Sequence, residues 1–173
     1  MEYGKDIFLK DIEEKTGLKT YSASKLIEEY GKIKFKEDKK TKNINENQNY
    51  LINAIKTKNL SGEYILNGHF CLLNEKGKIE KIPIETFYKL NPSKIMILEE
   101  KPEIIVARRM IRDNVEVTVE DTRRFQESEI DYGREVARSL NIPIFVFNLN
   151  RENEKAIEYI KNSQRVSNKD LMV

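Results

Sequence analysis

Two short runs constrain the fold more than anything else in the chain. Lys94–Leu98 (KIMIL) and Pro143–Phe147 (PIFVF) are almost continuously apolar. Runs of this length are far too short to span a membrane and suit strands buried on both faces of a parallel sheet. Two stretches with helical spacing lie between them. Pro102 opens one that runs through Arg112, and the other, from Val119 to Leu140, carries Phe125, Tyr132, Val136 and Leu140 at spacings of seven, four and four. Strands alternating with helices predict a parallel α/β sheet with helices on both faces, a three-layer arrangement. At 173 residues the chain has the length of one ordinary domain.

The same alternation continues upstream. Ile7 or Phe8 with Ile12 predicts a helix from Lys5 that Gly17 closes, followed by a short strand at Leu18–Tyr21. Ser22 or Ser24 is placed to cap a helix through Leu26, Ile27 and Tyr30, ending near Gly31. Residues 36–49 (KEDKKTKNINENQN) are polar and read as a mobile loop. Tyr50, Leu51, Ala54 and Ile55 return to helical spacing. Glu63–Leu66 reads as a strand, and Phe70–Leu73 with Ile79–Ile82 as a hairpin around Gly77. Ile84–Leu90 and Lys155–Lys161 are short helices. No internal repeat is visible.

Composition excludes several classes. Lys plus Arg is 31 against 29 Asp plus Glu, a net charge of +2 that argues against a chain built to coat phosphate backbones; a nucleic-acid partner is not expected. A single cysteine, Cys71, allows no internal disulfide, and a single histidine, His69, excludes the usual zinc spacings, so no structural metal is expected. No apolar run approaches the roughly 20 residues of a membrane span, and MEYGKDIFLK lacks the pattern of a signal peptide. A cytoplasmic protein with no membrane partner is the expectation.

The cations are unevenly distributed. All nine arginines lie at or after residue 108, while 19 of the 22 lysines lie at or before Lys101. Arginine offers a planar fork that grips carboxylate or phosphate at two points. Pairing along a helix is the plainer explanation for Arg123 with Glu127, Arg109 with Asp113, Asp131 with Arg134 and Glu135 with Arg138, spaced four, four, three and three apart. Arg108 and Arg112 differ, because like charges four apart repel unless an anion or acidic neighbour sits between them.

In sheets of this kind function gathers at the carboxyl ends of the strands, here Tyr21–Ser24, Asn67–Phe70, Glu99–Glu100 and Asn148–Asn150. With those ends in place, several segments match in order and spacing: GKDIFLKDIEEKTGL, YSASKLI, ILNGHFCLL, LNPSKIMILEE, IIVARRMIRD, FQESEIDYGREVARSL and IPIFVF. Together, over about residues 4–160, they resemble the P-loop nucleoside monophosphate kinase-like family, including archaeal-type adenylate kinases and small ATP-binding proteins labelled AAA-type. The resemblance implies one kinase-like α/β domain over residues 1–162, with a lid-like segment at 108–126 and a polar tail at 163–173. It also implies ATP and Mg2+ as cofactors and a small nucleotide as substrate.

Residue by residue, the resemblance assigns Gly4, Lys5, Asp6 and Asn67 to the ATP side. Ser22, Ser24, His69 and Glu129 fall on the acceptor side, and Arg108, Arg112 and Arg124 are lid arginines that neutralise the transferring phosphoryl group. Glu129, on the inward stripe of its helix, is expected to orient one of those arginines. Plainer roles stand beside these: a helix cap for Ser22 and Ser24, a solvated cation for Lys5, packing for His69, an ion pair for Arg123 or Arg124. The chain also departs from the pattern. G-x-x-x-x-G-K-[ST] is represented only by Gly4 and Lys5, followed by Asp6 and Ile7, so residues 1–8 cannot build the phosphate cradle. Asn67 stands where an aspartate is usual. The strand that precedes the cradle, central in the family's sheet, is also missing between Glu63–Leu66 and Lys94–Leu98. Those strands would then pair directly, or a second chain would donate the strand in a homodimer, or it would lie upstream of Met1. The resulting expectation is an impaired ATP-dependent kinase or, alternatively, an inactive binding or regulatory module.

Overall fold

The structure, a computed structural model, describes residues 2–33, 40–41, 43–113, 116–162 and 171–172. Its elements are α1 (Glu2–Thr16), β1 (Lys19–Ser22), α2 (Ala23–Gly31), β2 (Lys40–Thr41), α3 (Ile44–Thr57), β3 (Tyr64–Asn67), β4 (Cys71–Asn74) and β5 (Ile79–Lys81). They continue with α4 (Ile84–Leu90), β6 (Ile95–Glu99), α5 (Pro102–Asp113), α6 (Val119–Leu140), β7 (Ile144–Asn148), α7 (Leu149–Lys161) and β8 (Leu171–Met172).

The two apolar runs become β6 and β7, paired in parallel from Ile95↔Ile144 to Glu99↔Asn148. β1 and β3 form a second parallel pair, from Lys19↔Tyr64 to Ser22↔Asn67. Successive residues of a strand point to opposite faces, and both faces are covered. Ile65, Met96 and Phe147 pack with Phe8, Leu9 and Ile12 of α1 and with Ala156, Ile157 and Ile160 of α7. Tyr64, Leu66, Ile95 and Ile97 pack instead with α2, α3, α4 and α6 through Leu26, Leu51, Phe87 and Val136. Side chains as fully enclosed as Ile12, Ile65 and Val136 each contribute about 1.5–3 kcal/mol of burial. Of the two candidates in the second turn of α1, Phe8 and not Ile7 is buried, with its ring centroid 5.2 Å from that of Phe147. Helices thus flank parallel strands on both sides, as the alternation predicts.

Local chemistry explains most helix ends. Gly17 takes φ +75° directly after α1, a conformation other residues adopt only with strain. Thr118 caps α6 by accepting from the Asp121 N–H at 3.0 Å, and Asn141 closes it in the left-handed region. Gly133 lets α6 approach the sheet, since a Cβ there would stand 2.3 Å from Ile97 Cδ1.

Two expectations are corrected. The polar stretch 36–49 is not loop throughout: β2 pairs with β4, and α3 already begins at Ile44. Its inward face carries the buried amides Asn47 and Gln48 between Ile44 and Leu51, so its amphipathic repeat is invisible to hydrophobicity. Residues 36–39 and 42 lie outside the described residues. Among the described residues β3 and β6 are not paired with each other, although their direct pairing was one of the three arrangements foreseen for the centre of the sheet. β8, from the segment expected to be a polar tail, pairs in parallel with β3 on the side away from β1 and touches β6.

Candidate functional site

The carboxyl ends of β1, β3 and β6 open into one cleft of about 1610 Å³. This exceeds the roughly 300–1,000 Å³ of a typical small-molecule pocket. Lys5 and Asp6 line it from the first turns of α1, Ser22 and Ser24 from the end of β1, and Asn67, Gly68 and His69 from the end of β3. Across the opening stand Arg109 from α5 and Arg124, Phe125 and Glu129 from α6. Gly4 lies in the backbone of the same α1 turn. Residues far apart in the chain therefore meet at one edge of the sheet.

The wall at the β3–β4 turn is built by Glu129. Its Oε1 accepts from the backbone N–H of Phe70 at 3.0 Å and of Cys71 at 2.5 Å, and its Oε2 lies 3.4 Å from His69 Nδ1. A carboxylate that satisfies two consecutive backbone donors fixes the turn between β3 and β4 to α6. This corrects the expectation that Glu129 orients an arginine: its charge is met by backbone N–H groups, which leave no trace in a side-chain pattern. Beneath the turn Phe70 stacks on Phe87, with centroids 5.2 Å apart. Cys71 is buried, and burial, with the Glu129 charge added, pushes its thiol up to about 12, so it carries no nucleophile into the cleft. His69 is exposed and meets Phe125 edge-on at 6.2 Å.

Ser22 combines both roles considered for it. Its Oγ accepts from the Lys25 N–H at 3.4 Å, capping α2, and meets the Ser24 hydroxyl at 2.9 Å on the cleft wall. Tyr21 lines the cleft beside them, with its ring edge-on to Tyr64 at 5.6 Å.

The arginines divide. Arg108 stands 3.8 Å from Glu100, whose carboxylate also accepts from the Lys101 N–H at 2.9 Å. Arg108 lies midway along α5, paired with Glu100 at the β6–α5 turn, and is not a cleft residue; the neighbouring Arg109 is. Adjacent helix residues diverge by about 100°, so a shift of one position decides which arginine faces the cavity. The acidic neighbour of Arg108 is off the helix, at Glu100. Arg124 lines the cleft while contacting Glu120 at 3.5 Å and Asp121 at 3.4 Å, and Arg123 joins Glu103 of α5 at 3.5 Å to Glu120 at 3.4 Å. Exposed pairs of this kind are worth about 0–1 kcal/mol, so the guanidinium groups can change partners at little cost. The Arg112 side chain lies outside the described residues. Sequence reasoning missed Arg109 as a cleft residue, because an Asp113 partner explained it away; Tyr21 belongs to a strand end already singled out.

Among the described residues no group of three or more His, Cys, Asp or Glu side chains could hold a metal, and no helix is long and apolar enough to cross a membrane. Parallel strands flanked by helices, with a cleft at their carboxyl ends, fit a P-loop kinase-like α/β domain. A family model described as AAA domain matches residues 3–126, and the chain belongs to that family, a nucleotide-binding domain of the P-loop NTPase type. The match runs from α1 into α6 and ends at Gln126, before Glu129. Comparison with curated proteins returned no match.

Proposed function

We propose that the cleft binds ATP and that the chain is a nucleoside monophosphate kinase-like phosphotransferase whose activity is reduced by its altered phosphate loop. One observation carries this reading. Lys5 and Asp6 of α1, the Ser22–Ser24 hydroxyl pair, and Arg109 and Arg124 of the α5–α6 rim all line a single cavity at the strand ends. Lys5, Arg109 and Arg124 supply positive charge for phosphate oxygens, and Ser22, Ser24 and His69 supply hydrogen bonds to the acceptor. Phosphoryl transfer asks little more of a protein than positioning and charge neutralisation. Mg2+ on a nucleotide takes most of its ligands from phosphate and water and needs only one or two protein oxygens, for which Asp6 and Asn67 stand on the cleft wall. Bound there, the cation would offset phosphate charge.

A second reading, an inactive relative that binds nucleotide as a regulatory module, is favoured by Asp6 itself. Its carboxylate lies in the α1 turn where a phosphate-binding helix normally carries a hydroxyl, and it repels an unscreened phosphate. Calorimetric titration with ATP, ADP and AMP, with and without Mg2+, followed by a phosphoryl-transfer assay, separates the two. ATP binding with transfer supports the kinase, binding without transfer supports the module, and no binding by a folded sample contradicts both. Arg109→Ala is expected to weaken ATP binding by about tenfold or more, the loss of one charge-assisted contact, and Arg138→Ala to leave it unchanged.

A further inference from the structure

We infer that the C-terminal segment ending in Leu171 and Met172 is a sheet-completing strand: within one chain it occupies the slot between β3 and β6 and joins the two halves of the cleft. β3 has β1 on one side and β6 has β7 on one side. Their other edges would present unpaired N–H and C=O groups in the middle of the fold, beside residues as enclosed as Ile65 and Ile95. β8 stands there, in parallel register with β3 at Ile65↔Leu171 and Leu66↔Met172, and in contact with β6.

The route to this slot is short. α7 follows β7 directly and packs back along it, with the Tyr159 ring tilted against Phe145 and their centroids 5.2 Å apart. The Tyr159 carbonyl accepts from Lys94 Nζ at 2.5 Å, which brings the end of α7 to the amino end of β6. A parallel strand beside β3 must start from that end of the sheet. The nine residues 162–170 reach up to about 30 Å. Their sequence, NSQRVSNKD, is polar but for Val166, whereas the three residues that follow, LMV, are all apolar.

The strand also bears on the cleft. Asn67 at the end of β3 and Leu98 near the end of β6 line it from either side of the slot. Displacing β8 would therefore separate the two walls, and any event that captures the C-terminal segment would act on the cleft.

Hydrogen exchange of the full chain tests this without nucleotide, so its outcome is independent of the kinase reading. The amides of residues 65–66 and 171–172 are expected to exchange at least about 100-fold more slowly than in an unstructured chain. Exchange of residues 171–172 at the unstructured rate would overturn the proposal. A second test places Ile65→Cys and Leu171→Cys in a chain carrying Cys71→Ala. Mild oxidation is expected to link the pair within one chain, giving a monomer on a non-reducing gel. No cross-link in a folded sample, or a cross-linked dimer, would overturn the assignment in cis.

Discussion

The two walls of the cleft are made differently. On the side of the β3–β4 turn a partly buried carboxylate, Glu129, accepts two backbone N–H groups and locks the turn over a stacked Phe70–Phe87 pair. On the α5–α6 side, Arg123 and Arg124 rest in exposed pairs with Glu103, Glu120 and Asp121 at 3.4–3.5 Å. The first wall is fixed by groups that cannot be released without stranding buried donors. The second is held by contacts that water and salt can replace.

Substitutions can break or sharpen the contrast. The largest effect is expected from Phe87→Ala, which empties the core beneath the fixed wall at a residue only 1% exposed; a loss of about 3–5 kcal/mol should appear in urea unfolding. Next comes Glu129→Ala, which leaves the Phe70 and Cys71 N–H groups without their acceptor and should cost about 2–4 kcal/mol. Glu129→Gln keeps an acceptor oxygen and should recover at least half of that in the same unfolding series. The smallest effect belongs to the rim. Arg124→Ala should change stability by no more than about 0.5 kcal/mol while weakening ATP binding in calorimetry. A rim substitution as damaging as Glu129→Ala would erase the distinction.

What was legible in the sequence follows from the same physics. β6 was readable because a strand buried on both faces is apolar nearly throughout, β7 because it carries a similar apolar run although only Phe147 is fully buried, and α6 because a regular stripe marks it. α3 hid its first two turns because Asn47 and Gln48 occupy its buried face. β8 was hidden because two residues carry no period and their partner lies more than 100 positions away in the chain. At the site, Ser22, Asn67 and Glu129 could be picked out as residues at strand ends or on an inward stripe. The partner of Glu129 could not, since every residue but proline offers a backbone N–H. Nor could the choice of Arg109 over Arg108, which turns on the rotation of α5 against the sheet.

The most direct measurement is hydrogen exchange of the full chain with and without saturating ATP and Mg2+. The account predicts slowed exchange at residues 4–10, 20–26 and 66–71, which bring α1, the β1 end and the β3 turn to one cleft. Unchanged exchange in all three segments, or protection confined to other parts of the chain, would contradict it.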